Sequence, residues 1–179
     1  MEDDVLDRAR SGSADAFTAL YRELAGPVAA YLRAKGVPDV EDVTSDVFVA
    51  VFTGIARFEG DAAGFRAWVF TIAHRRVVDT WRRAGRRPVS EPFEAHEDPR
   101  VVPSAEQEAL ERVGQTRALE LLGLLTESQR EVLLLRILAD LSLEEVAAVV
   151  GRPVGAVKSL QHRGLAALRR ILAKEGVSP

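Results

Sequence analysis

The sequence of 179 residues has no cysteine, no long apolar run and no basic start. The absence of cysteine excludes disulfides, thiolate zinc sites and cysteine nucleophiles, and it is typical of proteins from a reducing cytosol. No apolar run approaches the roughly 20 residues that a membrane-spanning helix needs, and Met1–Asp4 is acidic where a secretion signal is basic. We therefore expect a soluble, cytoplasmic protein with no membrane insertion.

The sequence also lacks the common catalytic motifs. Its three histidines, His74, His96 and His162, are far apart, and there is no H-E-x-x-H pair, G-x-S-x-G motif or P-loop. A helical hydrolase without a cofactor stays open as an enzyme class, but no residue pattern favours it. We expect no enzyme activity, no metal site and no cofactor.

Positive charge is concentrated in two compact blocks. Residues 66–87 carry seven basic side chains and one acidic one, and residues 152–179 carry six and one, although the whole chain has a net charge of −3. Attraction to phosphate acts over about a Debye length, roughly 8–10 Å at cellular salt, so local charge matters more than the total. The two blocks indicate two separate contacts with nucleic acid.

Residues 142–170 have the pattern of a helix, a tight turn and a second helix. Ser142 and Glu145 form an S-x-x-E capping box, and Gly151 is suited to the left-handed stop after the first helix. Pro153 stands where the second helix can begin, because its φ is already set. Five apolar residues are expected on the inward side of that helix: Val157, Leu165, Leu168, Ile171 and Leu172.

The first turns of the second helix carry a polar cluster of Lys158, Ser159, His162 and Arg163. In a helix-turn-helix that docks in the major groove, these are the turns that meet base edges. The chain contains no asparagine, so the bidentate contact of asparagine with adenine is excluded, and readout would rest on these four side chains together with Gln161. The alternative is an ordinary helical hairpin with a solvated basic face.

The sequence pattern of the N-terminal half predicts three helices. The first covers residues 14–34, with a kink or a break at Pro27, and the second covers 40–57, with Asp39 as its cap. The third covers roughly 65–84 and interleaves aromatic residues with arginines, which is a pattern suited to single-stranded DNA. Trp68 is expected in the core, and the candidate DNA contacts on this helix are Arg66, Arg75, Arg76, Asp79, Arg82 and Arg83.

An acidic, proline-containing segment separates the two halves. Residues 85–103 contain four prolines and four acidic side chains, so we expect an extended linker there. Helices over 104–122 and 127–139 follow, the latter opened by a capping box between Thr126 and Gln129. The predicted fold class is all-α, with two small helical domains joined by this linker.

Four motifs in register resemble the extracytoplasmic-function group of the bacterial sigma-70 family, the promoter-recognition subunits of RNA polymerase. They are Ala16-Phe-Thr-Ala-Leu-Tyr21, Asp39-Val-Glu-Asp-Val-Thr-Ser-Asp-Val-Phe48, the segment from Phe65 to Arg83, and the C-terminal helix-turn-helix. The resemblance implies a region-two domain over 1–87, a linker over 88–103 and a region-four domain over 104–179. It also implies that the chain binds core RNA polymerase, promoter DNA and an anti-sigma protein.

The resemblance further implies a role for each segment. Residues 65–84 and the loop 58–64 would read and melt the minus-10 element, with a flipped base in the loop, and the helix-turn-helix would read the minus-35 element in double-stranded DNA. The linker would thread through the polymerase, whose clamp and flap regions would contact this chain. The side chains implied in clamp binding are Asp42, Ser45, Asp46 and Val49.

Two points stay open on the sequence alone. The family pattern expects a basic residue and then an apolar one after Ser159, but here Leu160 precedes Gln161. Either the helix rotates to bury Leu160, or Gln161 faces DNA. The alternative function is a stand-alone helix-turn-helix regulator, which would need neither the second basic block nor the acidic linker.

Overall fold

The computed structural model describes residues 3–83, 85, 117, 118 and 120–174, and the predicted linker 88–103 lies outside them, as does most of the predicted helix 104–122. All regular elements within the described residues are helical, which confirms the all-α prediction. The helices are α1 (Asp3–Arg10), α2 (Ala14–Ala34), α3 (Val40–Gly54), a 3₁₀ turn (Ile55–Arg57), α4 (Ala62–Arg83), α5 (Glu127–Ile137), α6 (Leu143–Val150) and α7 (Val154–Lys174).

Helix α2 has the predicted bounds. Ser13 caps it, because the Ser13 hydroxyl accepts the Ala16 N–H at 3.3 Å. Pro27 lies inside the helix and does not break it, and the Lys35 N–H continues the ladder to the Tyr31 carbonyl at 3.0 Å. The neighbouring turns therefore hold the helix together despite the hydrogen bond that proline cannot donate.

Asp39 is the N-cap residue of α3 as predicted, but its side chain does not cap the helix. Asp39 has φ 53° and makes no side-chain cap hydrogen bond; only its carbonyl accepts, from the Val43 N–H at 3.1 Å. A side-chain cap normally requires extended backbone at that residue, and the left-handed conformation of Asp39 does not provide it. Helix α3 also ends at Gly54, and the last turn predicted for it is the 3₁₀ turn Ile55–Arg57.

Helices α1 to α4 form the N-terminal helix group. Their shared core includes Leu24, Val28, Val51, Phe65 and Val69, each at most 1% exposed. Trp68 packs against this core as expected, stacked on Phe58 with ring centres 5.1 Å apart.

Helices α5 to α7 form the C-terminal helix group, and α6, the turn and α7 confirm the predicted helix-turn-helix. The inward side of α7 differs from the prediction: Leu160 is 8% exposed and Leu165 is 37% exposed. The buried stripe runs through Val157, Leu160 and Gly164 at helical spacing, and Leu165 lies about 100° around the helix from Gly164. A Cβ at Gly164 would lie 3.0 Å from Leu133 Cδ1, so this glycine lets α7 approach α5 closely.

The two groups pack against each other through α4 and α6 and through a buried polar contact that was not predicted from the sequence. The Lys35 side chain has no exposed surface, and its Nζ lies 3.3 Å from Glu127 Oε1 and 3.1 Å from Glu131 Oε1. The same Nζ is 4.6 Å from the centre of the Trp81 ring. Lys35 and Trp81 belong to the N-terminal group and both glutamates to the C-terminal group, so this contact joins them; we name it the Lys35 contact.

A second set of polar atoms extends the Lys35 contact. The Tyr31 hydroxyl lies 3.1 Å from His74 Nδ1, which in turn lies 3.3 Å from Glu131 Oε1. Burial by itself would raise the pKa of Glu131, but the hydrogen bond with His74 and the charge of Lys35 outweigh it and lower that pKa to about 2. Burial, with the nearby charges of Glu131 and Glu127, raises the pKa of Tyr31 well above its ordinary value. Glu131 is therefore held ionised between the two groups.

We expect Glu131→Gln to loosen the packing of the two helix groups. A pKa lowered from 4.5 to about 2 corresponds to on the order of 3 kcal/mol that favours the contact at neutral pH. Since the chain has no cysteine, dyes attached through Ala19→Cys and Ala148→Cys, both exposed, would report the separation of the groups by energy transfer.

The same measurement has a defined pH dependence. Because the pKa of Glu131 is lowered in the contact, its contribution is fully present above about pH 4.5 and is lost as the pH falls toward 2. Energy transfer should fall over that window in the parent chain and should already be low in Glu131→Gln. Glu144→Gln, which changes an exposed carboxylate on α6, is the matched control. Equal transfer in all three proteins at neutral pH would show that Glu131 does not hold the groups together.

Candidate nucleic-acid interface

The turn before α7 is fixed by local hydrogen bonds. The Ser142 N–H donates to Glu145 Oε2 at 2.6 Å and the Glu145 N–H donates to Ser142 Oγ at 3.1 Å, so the predicted capping box is confirmed. Gly151 has φ 65°, and the Pro153 carbonyl accepts the Val157 N–H at 3.1 Å to start α7. The direction in which α7 leaves the turn is thereby set by residues close in sequence.

The structure brings four of the five predicted contacts of α7 together. Lys158, Ser159, His162 and Arg163 are exposed and line one shallow depression on the surface. The Ser159 hydroxyl donates to the Gly155 carbonyl at 2.9 Å, and Arg163 Nε donates to the Ser159 carbonyl at 3.3 Å. These two bonds orient the cluster, and among the described residues the ammonium of Lys158 has no ion pair that would hold it back from the surface.

Gln161 is placed differently from those four. It is half-buried, and its Oε1 is enclosed without a hydrogen-bond partner among the described residues. Leu160 is buried, so of the two arrangements that the sequence left open, the helix takes the one in which Leu160 turns inward.

Helix α4 presents a second basic surface. Arg75, Arg82 and Arg83 are exposed, Arg76 and Asp79 are half-buried, and Asp79 Oδ1 lies 3.8 Å from Arg82 Nη1. These side chains recur every three or four residues, so they share one side of the helix. Flat guanidinium groups spaced in this way can hold successive phosphates of a single strand.

Arg66 is separated from this surface by its own ion pair. Its Nη2 lies 2.5 Å from Glu23 Oε1, and the Arg66 side chain is only 22% exposed. The pair ties α4 to α2. Sequence reasoning grouped Arg66 with the other arginines because Glu23 is 43 positions away and nothing local signals the pairing.

The loop before α4 has a defined shape. Asp61 caps the helix, because Asp61 Oδ1 accepts the Gly64 N–H at 2.8 Å and its carbonyl accepts the Phe65 N–H at 2.9 Å. Phe58 turns inward against Trp68, whereas Glu59, Gly60 and Asp61 are exposed.

The outer face of α3 carries an acidic and apolar surface. Asp42, Ser45 and Asp46 are exposed, and Val49 is 63% exposed. Phe52, one turn further on, is 61% exposed although its ring meets that of Phe17 edge to face at 4.9 Å. Phe52 was not among the contacts expected on this face. Its spacing of three from Val49 was the signal that could have assigned it to the outer face.

None of the helices in the described ranges has a stretch long and apolar enough to cross a bilayer.

Comparisons with known proteins identify the family of this chain. The family model for sigma-70 region 2 matches residues 17–87, and the model for sigma-70 region 4 matches residues 121–170. The ECF RNA polymerase sigma factor SigD of Mycobacterium tuberculosis is 34% identical over 187 residues, which covers 97% of this chain and 85% of SigD. The ECF sigma factor BldN of Streptomyces coelicolor is also 34% identical, over 94% of this chain, but the match spans only 65% of BldN.

A solved structure supports the same relationship. The structure of CnrH in complex with the cytosolic domain of CnrY matches with a TM-score of 0.68 and 29% identity, over 97% of both chains. CnrH of Cupriavidus metallidurans is an RNA polymerase sigma factor. With two domain models in register and a relative covered over most of its length, the chain belongs to the extracytoplasmic-function sigma factors of the sigma-70 family.

Proposed function

We propose that this chain binds core RNA polymerase and directs it to promoters through two DNA contacts, one on each helix group. The observation that carries the proposal is the pair of separate basic surfaces, on α4 and on α7, in a chain that is negative as a whole. We place the minus-10 domain at 1–87, the linker at 88–103 and the minus-35 domain at 104–179. In this proposal the chain supplies no catalytic group, acts in the cytoplasm, and leaves the chemistry to the polymerase.

The α7 cluster is proposed to read the minus-35 element in the major groove. Lys158 and Arg163 can donate to guanine acceptors, and Ser159 and His162 can contact a base edge or a phosphate. All four are exposed on one surface. Gln161 is half-buried, and its enclosed Oε1 would limit it to donating through its amide nitrogen.

The basic side of α4 is proposed to hold the non-template strand of the melted minus-10 element. Arg75, Arg76, Arg82 and Arg83 would contact phosphates, with Asp79 orienting Arg82. Arg66 would contribute indirectly, since its pair with Glu23 braces α4. The exposed loop of residues 58–61 would receive an unpaired base beside them.

The outer face of α3 is proposed to dock on the polymerase clamp, with the C-terminal group directed to the flap. Exposed apolar side chains such as Val49 and Phe52 supply area that can be buried, and Asp42 and Asp46 supply charges that orient the encounter. Ser45 would lie between them at the contact.

An anti-sigma protein is proposed as a further partner, on the precedent of CnrH, whose solved structure contains the cytosolic domain of CnrY.

Promoter binding also requires the helix groups to separate. Elements centred at minus 35 and minus 10 are about 25 base pairs apart, or roughly 85 Å of duplex at 3.4 Å per pair. A compact chain of this length has a radius of gyration of only about 16 Å. The Lys35 contact would therefore have to open on the promoter.

Run-off transcription with purified core polymerase tests the proposal as a whole. The chain should select start sites from a genomic promoter library that core enzyme alone does not use.

A double variant tests the role of α7. With a promoter selected in this way, Lys158→Ala with Arg163→Ala should lower the affinity of the chain for the minus-35 duplex by about tenfold or more, since each base contact is worth about 1–3 kcal/mol. Lys174→Ala, at the far end of α7, is the matched control. Unaltered start-site selection by the double variant would contradict the assignment of α7.

Charge reversal tests the polymerase-binding face. Asp46→Lys should weaken capture of core polymerase, measured by fluorescence anisotropy, because the side chain is exposed and would meet basic groups on the clamp. Helical content should be unchanged. Asp15→Lys, at the exposed start of α2, makes the same change in net charge and should bind normally. Equal affinity of the two variants would remove α3 from the interface.

Permanganate footprinting tests the role of α4 in melting. Arg75→Ala with Arg76→Ala should abolish the reactivity of unpaired thymines near minus 10, because the phosphates of the opened strand would lose their counter-charges. Closed-complex formation through minus 35 should persist. The control is Arg22→Ala, which removes an exposed arginine from α2. Retained thymine reactivity in the double variant would show that α4 does not stabilise the melted state.

A further inference from the structure

The loop of residues 58–61 is fastened to α1, which lies about fifty residues earlier in the chain. Arg10 Nη2 donates to the Gly60 carbonyl, and the Arg10 guanidinium carbon lies 5.3 Å from the centre of the Phe58 ring. Asp3 Oδ1 accepts the Ala62 N–H, the first free donor of α4, at 2.8 Å. Helix α1 thus holds both the loop and the start of the helix that follows it.

Arg10 is itself held in place. Its Nη1 donates to Asp7 Oδ1 at 2.8 Å, one turn earlier on α1, and its side chain is 24% exposed. Leu6 and Ala9 on the same helix are 1% and 4% exposed, so α1 is anchored in the core of the N-terminal group. An arginine donates from a planar fork of fixed geometry while the same flat group lies over an aromatic ring, whereas the ammonium of a lysine is a compact point charge on a flexible stem.

The inner side of the loop is closely packed. The Phe58 ring stacks on Trp68 and meets Phe65 edge to face at 5.4 Å. Gly60 has φ +146°, and a Cβ there would lie 2.9 Å from Phe58 Cζ, so only glycine fits at this point. This packing restricts the loop to one conformation, in which Glu59, Gly60 and Asp61 are exposed on its outer side.

We propose that Arg10 is a positioning residue for promoter opening, which holds the loop of residues 58–61 in the shape that receives an unpaired base. The inference rests on the role proposed above for this loop. Arg10 does not touch the base; it removes the cost of ordering the loop at the moment of binding. Helix α1 precedes the segment matched by the region-2 model, which begins at residue 17, so the brace lies outside the matched segment.

The test compares holoenzyme binding to fork-junction promoter probes whose single-stranded minus-10 segment is intact or abasic at one position at a time. The position with the largest loss in the parent protein identifies the captured base. At that position the ratio of intact to abasic affinity should fall about tenfold or more in Arg10→Ala, as expected from the loss of a charged hydrogen bond. The ratio should also be lower in Arg10→Lys than in the parent protein.

Arg8→Ala is the matched control, because Arg8 lies on the same helix, its side chain is 55% exposed, and its ion pair within the described residues is with the exposed Asp4. It should keep the parent ratio. If Arg10 only stabilised the fold, both affinities would fall together with the folded fraction seen in thermal melts, and the ratio would not change. An unchanged ratio in Arg10→Ala would overturn the proposal for Arg10.

The two proposals fail in different ways. If no abasic position weakens binding of the parent holoenzyme, the loop does not capture a base, and the role of the loop and that of Arg10 are both wrong. If the parent discriminates and Arg10→Ala discriminates equally, only the role of Arg10 is wrong.

Discussion

The buried ammonium of Lys35 is the interaction on which the arrangement of the two helix groups depends. Removing a lysine from water is costly, and here two glutamates and the face of Trp81 compensate for it. Both glutamates come from the other group, so the compensation exists only while the groups touch. When they separate, water solvates all three charges. Helix α4 also packs against α6 through apolar side chains, so the Lys35 contact is the polar part of a mixed seam between the groups.

The surfaces proposed for binding lie on helices that the two cores hold rigid. On α7 the buried stripe of Val157, Leu160 and Gly164 fixes which side faces outward, and the polar cluster follows from it. On α4 the buried Val69, Ala73 and Val77 do the same for the arginine side. Charge segregation then allows a chain with a net charge of −3 to present two positive surfaces, because screening over about 8–10 Å hides each block from the distant acidic ones.

Much of this could be predicted because the signals are local. The bounds of α2, the capping box of Ser142 and Glu145, and the left-handed Gly151 all depend on residues within a few positions of each other. The errors at Leu165 and Arg66 arose where neighbours distant in sequence decided the outcome. Leu165 looked inward by periodicity, but the close approach at Gly164 to Leu133 rotates it toward solvent. Arg66 was predicted to contact DNA, but in the structure it forms an ion pair with Glu23.

The sequence by itself determined the helical class, the helix-turn-helix, the two basic blocks and the family, since helix caps, apolar periodicity and charge are properties of short segments. Only the tertiary structure decided that Lys35 is buried between two glutamates, that Glu131 stays ionised, and that Arg10 reaches the loop of residues 58–61. These contacts join residues about fifty to a hundred positions apart. Burial and pairing at such distances depend on how whole helices pack, and no local pattern encodes that packing.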